Sequence, residues 1–120
     1  MSPLRRIASA PLAVALLLCA QTVVASDCYP CGPENLPPAI KRMIPQEFHG
    51  ADFRPACRRH DRCYGAPGAN KCACDLRFLK DLNSACNCSE HPVACRAVSC
   101  LYFVSVKVGG RNAFNRAQGH

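Results

Sequence analysis

Ala56-Cys57-Arg58-Arg59-His60-Asp61-Arg62-Cys63-Tyr64, closed by Gly65-Ala66-Pro67-Gly68 and followed by Asn70-Lys71-Cys72-Ala73-Cys74-Asp75, is the stretch that decides the fold. No helix breaker interrupts Ala56 to Tyr64, and Gly65, Pro67 and Gly68 form a stop signal, so a helix is predicted there. Cys57, His60 and Tyr64 fall at i, i+3 and i+7 and share one face of it. A second helix is predicted from Asn70, a fair N-cap, to Cys86, with Asp75, Leu79, Leu82 and Cys86 as a single stripe. Two helices joined by so short a turn run antiparallel, which brings the faces carrying His60 and Asp75 within reach of one another.

Toward the C-terminus a third helix is predicted over about Pro92 to Val108. It places Ala94, Ala97, Val98, Leu101, Tyr102, Ser105 and Val108 on one side and ends at Gly109-Gly110. Toward the N-terminus, Pro30, Pro33, Pro37, Pro38 and Pro45, with Pro55 just beyond, deny residues 27–54 a long helix or a central strand. No alternating run is long enough for a sizeable sheet, and there is no internal repeat. The expected fold class is therefore mainly α: a small disulfide-rich domain built on two antiparallel helices, a third helix and a proline-rich loop region.

The chain has 120 residues, room for one domain. Arg5 and Arg6, the apolar run Pro11 to Ala20 and the small-residue pattern Val23-Val24-Ala25 read as a secretory signal over residues 1–25, leaving a domain over 26–120. The run is too short to span a bilayer. A lipid anchor through Cys19 fits poorly, because bulky Leu18 precedes it. Formal net charge is +7, and the part after Ala25 stays mildly basic with ten of the eleven cysteines, Cys28 to Cys100. An even number of cysteines in a short exported chain implies a disulfide framework that supplements a small core, though counting alone gives no connectivity. Read as zinc ligands, Cys72-Ala73-Cys74 and Cys86-Asn87-Cys88 lack the usual ligand spacing. Nucleic acid is not an expected partner, since the basic residues are spread along the chain and no reading motif occurs.

The Cys57 to Tyr64 stretch with Cys72-Ala73-Cys74-Asp75 closely resembles the active-site signature of secreted phospholipases A2, in particular the short, single-domain branches of that family. The match sets a Cys three residues before the His, a carboxylate directly after it, a Cys three after, a Tyr four after, and a Cys-Asp pair one helix later. It extends to Tyr102 to Gln118 and so covers most of the chain beyond Ala25. The resemblance implies calcium-dependent hydrolysis of the sn-2 ester of glycerophospholipids, with His60, Asp75 and Tyr64 as the catalytic group. It further implies Ca2+ held by Asp61 and by carbonyls of the loop Tyr29-Pro30-Cys31-Gly32 (Tyr29, Cys31 and Gly32), an oxyanion contact from the Gly32 amide, and the disulfides Cys31–Cys57 and Cys63–Cys74. Departures are a loop that continues Pro33-Glu34-Asn35 where glycines are usual, and Ala56 where animal forms often carry a second cysteine.

The chemistry of the residues agrees. Ester hydrolysis by water needs a base near neutral pH, which histidine supplies, and a carboxylate on its far ring nitrogen sets tautomer and orientation. Asp61, next to His60, points about a quarter turn away toward the preceding loop, a direction that suits a calcium ligand, since carbonyl oxygens are good donors when a carboxylate supplies charge. The bland readings are a structural His60, an Asp61 paired at the surface with Arg58 or Arg62, a helix-capping Asp75 and a core Tyr64. His49, His91 and His120 show no partner pattern and are expected at the surface. Asn87-Cys88-Ser89 matches a glycosylation sequon.

An enzyme acting on aggregated lipid must also dock, and the expected docking surface is the segment Leu36 to Phe48. Leu36, Ile40, Met43 and Ile44 recur there at near-helical spacing, with Lys41 and Arg42 between them for anionic head groups. The expected protein is a secreted monomer whose partner is a phospholipid membrane or aggregate. The alternative is a catalytically silent phospholipase-like membrane binder, against which stands the retention of both His60 and Asp61. A cationic antimicrobial peptide would leave the His-Asp pair, Tyr64 and Asp75 unexplained.

Overall fold

The computed structural model describes residues 30–33 and 36–120. The expected signal segment, Cys19, Cys28 and the expected ligand Tyr29 lie outside the described residues. Order along the chain is a single helical turn α1 (Pro38–Lys41), a two-stranded hairpin β1 (Glu47–Phe48) and β2 (Ala51–Asp52), α2 (Arg54–Gly65), α3 (Lys71–Ala85), a 3-10 turn (Cys86–Cys88), α4 (Pro92–Gly109) and α5 (Arg111–Ala117). The protein is thus mainly helical, with one small antiparallel sheet among the described residues.

Each boundary has a local cause. Helix α2 begins two residues before the expected Ala56, because proline is tolerated in a first turn where its missing N–H has no intrahelical partner. The Asp52 carboxylate accepts from the Arg54 backbone N–H at 3.0 Å and so caps that turn. Helix α3 starts as expected, with Asn70 Oδ1 accepting from the Ala73 N–H at 3.0 Å. The hairpin turns at His49-Gly50 with φ of 41° and 93°, positive at both central positions as a type I′ turn requires.

Phe53, Ala51, Ala56, Phe78 and Leu82 form the core with Cys31, Cys57, Cys86 and Cys95, so cystines fill much of what is apolar inside. Cys31 is joined to Cys57, Cys63 to Cys74 and Cys86 to Cys95, and Cys88 is also disulfide-bonded. The first two are the pairs the resemblance implied. Such a framework is typical of proteins exposed to an oxidising compartment. Cys72 and Cys100 are unpaired and exposed on α3 and α4, so pairing is less complete than an even count leads one to expect.

The row predicted along one side of α4 is divided in the structure. Its buried residues are Cys95 and Ser99, with Val98, Tyr102 and Val106 packed against the core, whereas Ala94, Ala97, Leu101, Ser105 and Val108 are exposed. The Cys86–Cys95 bond is the reason: it turns Cys95 inward, and Ser99, Tyr102 and Val106 follow at i+4, i+7 and i+11. On α3 the buried stripe is Cys74, Asp75, Phe78 and Leu82, and Leu79 is only half-buried.

Candidate active site

His60 and Asp75 meet across the α2–α3 seam, with His60 Nε2 2.8 Å from Asp75 Oδ1 and the two residues only 7% and 3% exposed. The Cys63–Cys74 disulfide clamps the seam one turn away, since Cys63 follows His60 by three residues and Cys74 immediately precedes Asp75. Tyr64, one turn beyond His60, donates its hydroxyl proton to the same Asp75 oxygen at 2.6 Å. The other oxygen accepts from Lys71 Nζ at 2.8 Å.

Burial by itself would raise the Asp75 pKa, but the hydrogen bonds from Lys71, Tyr64 and His60 outweigh it and hold the carboxyl below its usual range. An ionised Asp75 accepts only, so His60 Nε2 carries the proton and Nδ1 is left with a lone pair. Burial pushes the His60 pKa below 6.5 against the opposing pull of Asp75, which keeps the imidazole unprotonated at Nδ1 near neutral pH. Burial and the bond to Asp75 push the Tyr64 phenol well up, so it stays a donor. The Phe78 and Tyr64 rings lie 4.5 and 4.1 Å from the His60 ring, centroid to centroid, and shelter it.

A cavity of about 810 Å³ opens over His60, lined also by Asp61 and Tyr64 of α2, by Gly32 and Ile44 of the loop region, and by Leu101 of α4. Asp61 is exposed. Cys57 and Asp61 are i, i+4 neighbours on α2, so the Cys31–Cys57 bond ties residues 30–33 to the face of α2 that carries Asp61, and Gly32 and Asp61 line the same cavity. Gly32 lines the cavity with φ of 107°, a left-handed conformation that favours glycine, and a Cβ there would press on the tip of the Ile44 side chain. The Cys31 N–H donates to Gln46 Oε1 at 3.0 Å, and its carbonyl accepts from Gln46 Nε2 at 3.3 Å, which engages one of the expected carbonyl ligands.

Of the expected docking residues, Ile40, Arg42 and Met43 are exposed, while Leu36, Lys41 and Ile44 are half-buried, Ile44 against the core.

Lys71 went unread in the sequence, although its i, i+4 spacing to Asp75 was visible. Nothing local announced its further bonds to the Val106 and Lys107 carbonyls at 3.0 and 3.4 Å, which tie the head of α3 to the end of α4. Helix α5 was also missed. It lines the far wall of the cavity and is held by Gln118, whose Nε2 donates to the Tyr64 and Ala66 carbonyls at 2.6 and 2.7 Å. At Gly110, between α4 and α5, a Cβ would crowd the Val106 carbonyl oxygen and lie 2.8 Å from the Tyr64 hydroxyl, so the chain passes close to the site there. Comparison with protein-family models, with curated proteins and with solved structures finds no match to this chain.

Proposed function

We propose that the protein is a secreted, calcium-dependent phospholipase A2 that hydrolyses the sn-2 ester of glycerophospholipids to a fatty acid and a lysophospholipid. The observation that carries this reading is the buried His60–Asp75 pair at 2.8 Å, opening on a cavity that also receives Asp61 and Gly32. In the proposed reaction His60 Nδ1 takes a proton from water as the water attacks the ester carbonyl, and Asp75 stabilises the imidazolium that forms. Tyr64 and Lys71 keep Asp75 ionised and aimed. The proton then passes from His60 to the departing glycerol oxygen.

A calcium ion suits the donor chemistry beside this base. Asp61 would supply the charged ligand and the anchored loop, Gly32 included, would supply backbone oxygen, whereas the Cys31 carbonyl is already engaged by Gln46. When bound, calcium supplies Lewis-acid polarisation of the ester carbonyl. The Gly32 N–H is the candidate oxyanion donor.

Access for lipid is supported from two sides. Ile40 and Met43 project from the α1 region, and on α4 Val93, Ala97, Leu101, Val104 and Val108 form an exposed row at helical spacing, with Leu101 68% and Val108 80% exposed. Leu101 also lines the cavity, so this row reaches its rim.

The test is hydrolysis of phospholipid vesicles with calcium and with a chelator, beside His60→Gln. Turnover is expected only with calcium, and the variant is expected to lose at least about two orders of magnitude while its circular dichroism stays unchanged. A folded variant that keeps a tenth of the rate removes His60 as the base.

A further inference from the structure

We propose a second metal centre, formed by His49, Glu90 and His91, that takes a zinc-class divalent cation. One ligand atom of each side chain lies within 4.8 Å of the other two, and the two histidine rings stand edge to face with centroids 4.8 Å apart. None of the three lines the His60 cavity, and the proposal does not depend on the phospholipase reading.

The backbone is set for this meeting. His49 occupies the hairpin turn at φ 41°, a left-handed position that glycine fills without steric cost, and here it carries an imidazole. Its carbonyl accepts from the Glu90 N–H at 2.9 Å. Ser89 adds a second tie, its hydroxyl donating to the Phe48 carbonyl at 3.3 Å and accepting from the His91 N–H at 3.1 Å. At Gly50 a Cβ would come within 2.9 Å of the Cys88 carbonyl, so the turn rests directly on the ligand-bearing segment. The Cys86–Cys95 bond closes the loop that presents Glu90 and His91. The three side chains are exposed and can adjust from 4.8 Å to the roughly 3.3 Å between ligands of a tetrahedral ion bound at about 2.0 Å.

Two imidazoles and one carboxylate suit zinc and its neighbours, whereas calcium prefers an all-oxygen shell. Three protein ligands leave a fourth position for water. The bound ion would staple the hairpin turn to the segment that starts α4, two parts of the chain otherwise joined here by hydrogen bonds.

The experiment is calorimetric titration of Zn2+ into the full protein with calcium saturating, in a Cys72→Ser/Cys100→Ser background that removes the two exposed thiols. One Zn2+ per chain is expected, with a rise in Tm because the ion binds the folded form. His49→Asn and His91→Gln should each weaken binding by more than about tenfold and suppress the Tm rise. Asn tolerates the left-handed turn, and an unchanged Tm in chelator will show that the fold is kept. Absence of saturable zinc binding in the parent overturns the proposal. So does a folded His49→Asn/His91→Gln double variant that binds zinc as tightly as the parent.

Discussion

Asp75 takes bonds from His60, Tyr64 and Lys71, and the three donors make different contributions at the scale of the residue. Lys71 is the cation among them. Its charge adds to the burial that lowers the His60 pKa, and its hydrogen bond is the foremost of those that lower that of Asp75. In the proposed reaction the base form of His60 is the active one, so activity should fall on acidification through a midpoint below 6.5. In Lys71→Met both pKa values rise, and the acid limb of kcat/KM moves to higher pH. A pH profile checks this, and a profile displaced downward or unmoved would show that Lys71 holds α4 and does not tune the site. Stability follows the same sign. The depressed Asp75 pKa contributes stability above about 3.8, lost as pH falls through the lower folded value, and Lys71→Met should lose part of it. On the proposed reading Asp61→Asn should weaken calcium binding and hydrolysis together, because the amide keeps an oxygen and loses the charge. Unchanged calcium affinity by calorimetry would put the ion elsewhere.

At the scale of the element, α1 and α4 offer two apolar surfaces. The α1 region is short and flanked by prolines, with Lys41 and Arg42 beside Ile40 and Met43. Helix α4 is longer, and the face it turns outward is the one left over once Cys95, Ser99, Tyr102 and Val106 are directed to the core. If both meet lipid, Ile40→Ser/Met43→Ser and Val104→Ser/Val108→Ser will each reduce vesicle binding and vesicle hydrolysis while sparing a monomeric short-chain substrate. Equal loss on both substrates with a lowered Tm in one pair would assign that pair to packing. Periodicity put Leu101 and Tyr102 in one row, since it finds an apolar row on a helix without saying whether it is covered; the structure exposes Leu101 and packs Tyr102 against the core. Here two apolar rows run along one helix, and a disulfide chose between them.

For the whole molecule, the site depends on the disulfide framework as much as on apolar packing. Cys31–Cys57 closes a loop with a sequence separation of 26 and holds residues 30–33 at the cavity, and Cys63–Cys74 holds the two helices that carry His60 and Asp75. Replacing Cys63 and Cys74 together by Ser should lower stability by about 2–4 kcal/mol, read from denaturant titration, and should lower kcat more than KM as the His60–Asp75 alignment loosens. Full kcat in that variant would show that packing of α2 on α3 suffices.

What the sequence determined by itself was whatever one helix or one short turn can impose. Stop signals, the Asn70 cap and i, i+3, i+7 spacing set α2 and α3, and a short turn between them forces the antiparallel approach that joins His60 to Asp75. The tertiary structure alone decided the rotation of α4, the lodging of Lys71 between Asp75 and the α4 carbonyls, the α5 wall of the cavity, and the meeting of His49 with Glu90 and His91. The physical reason is that spacing along a helix fixes which side chains share a face, whereas which face is covered and which separate segments meet depend on how the packed elements and their disulfides settle together.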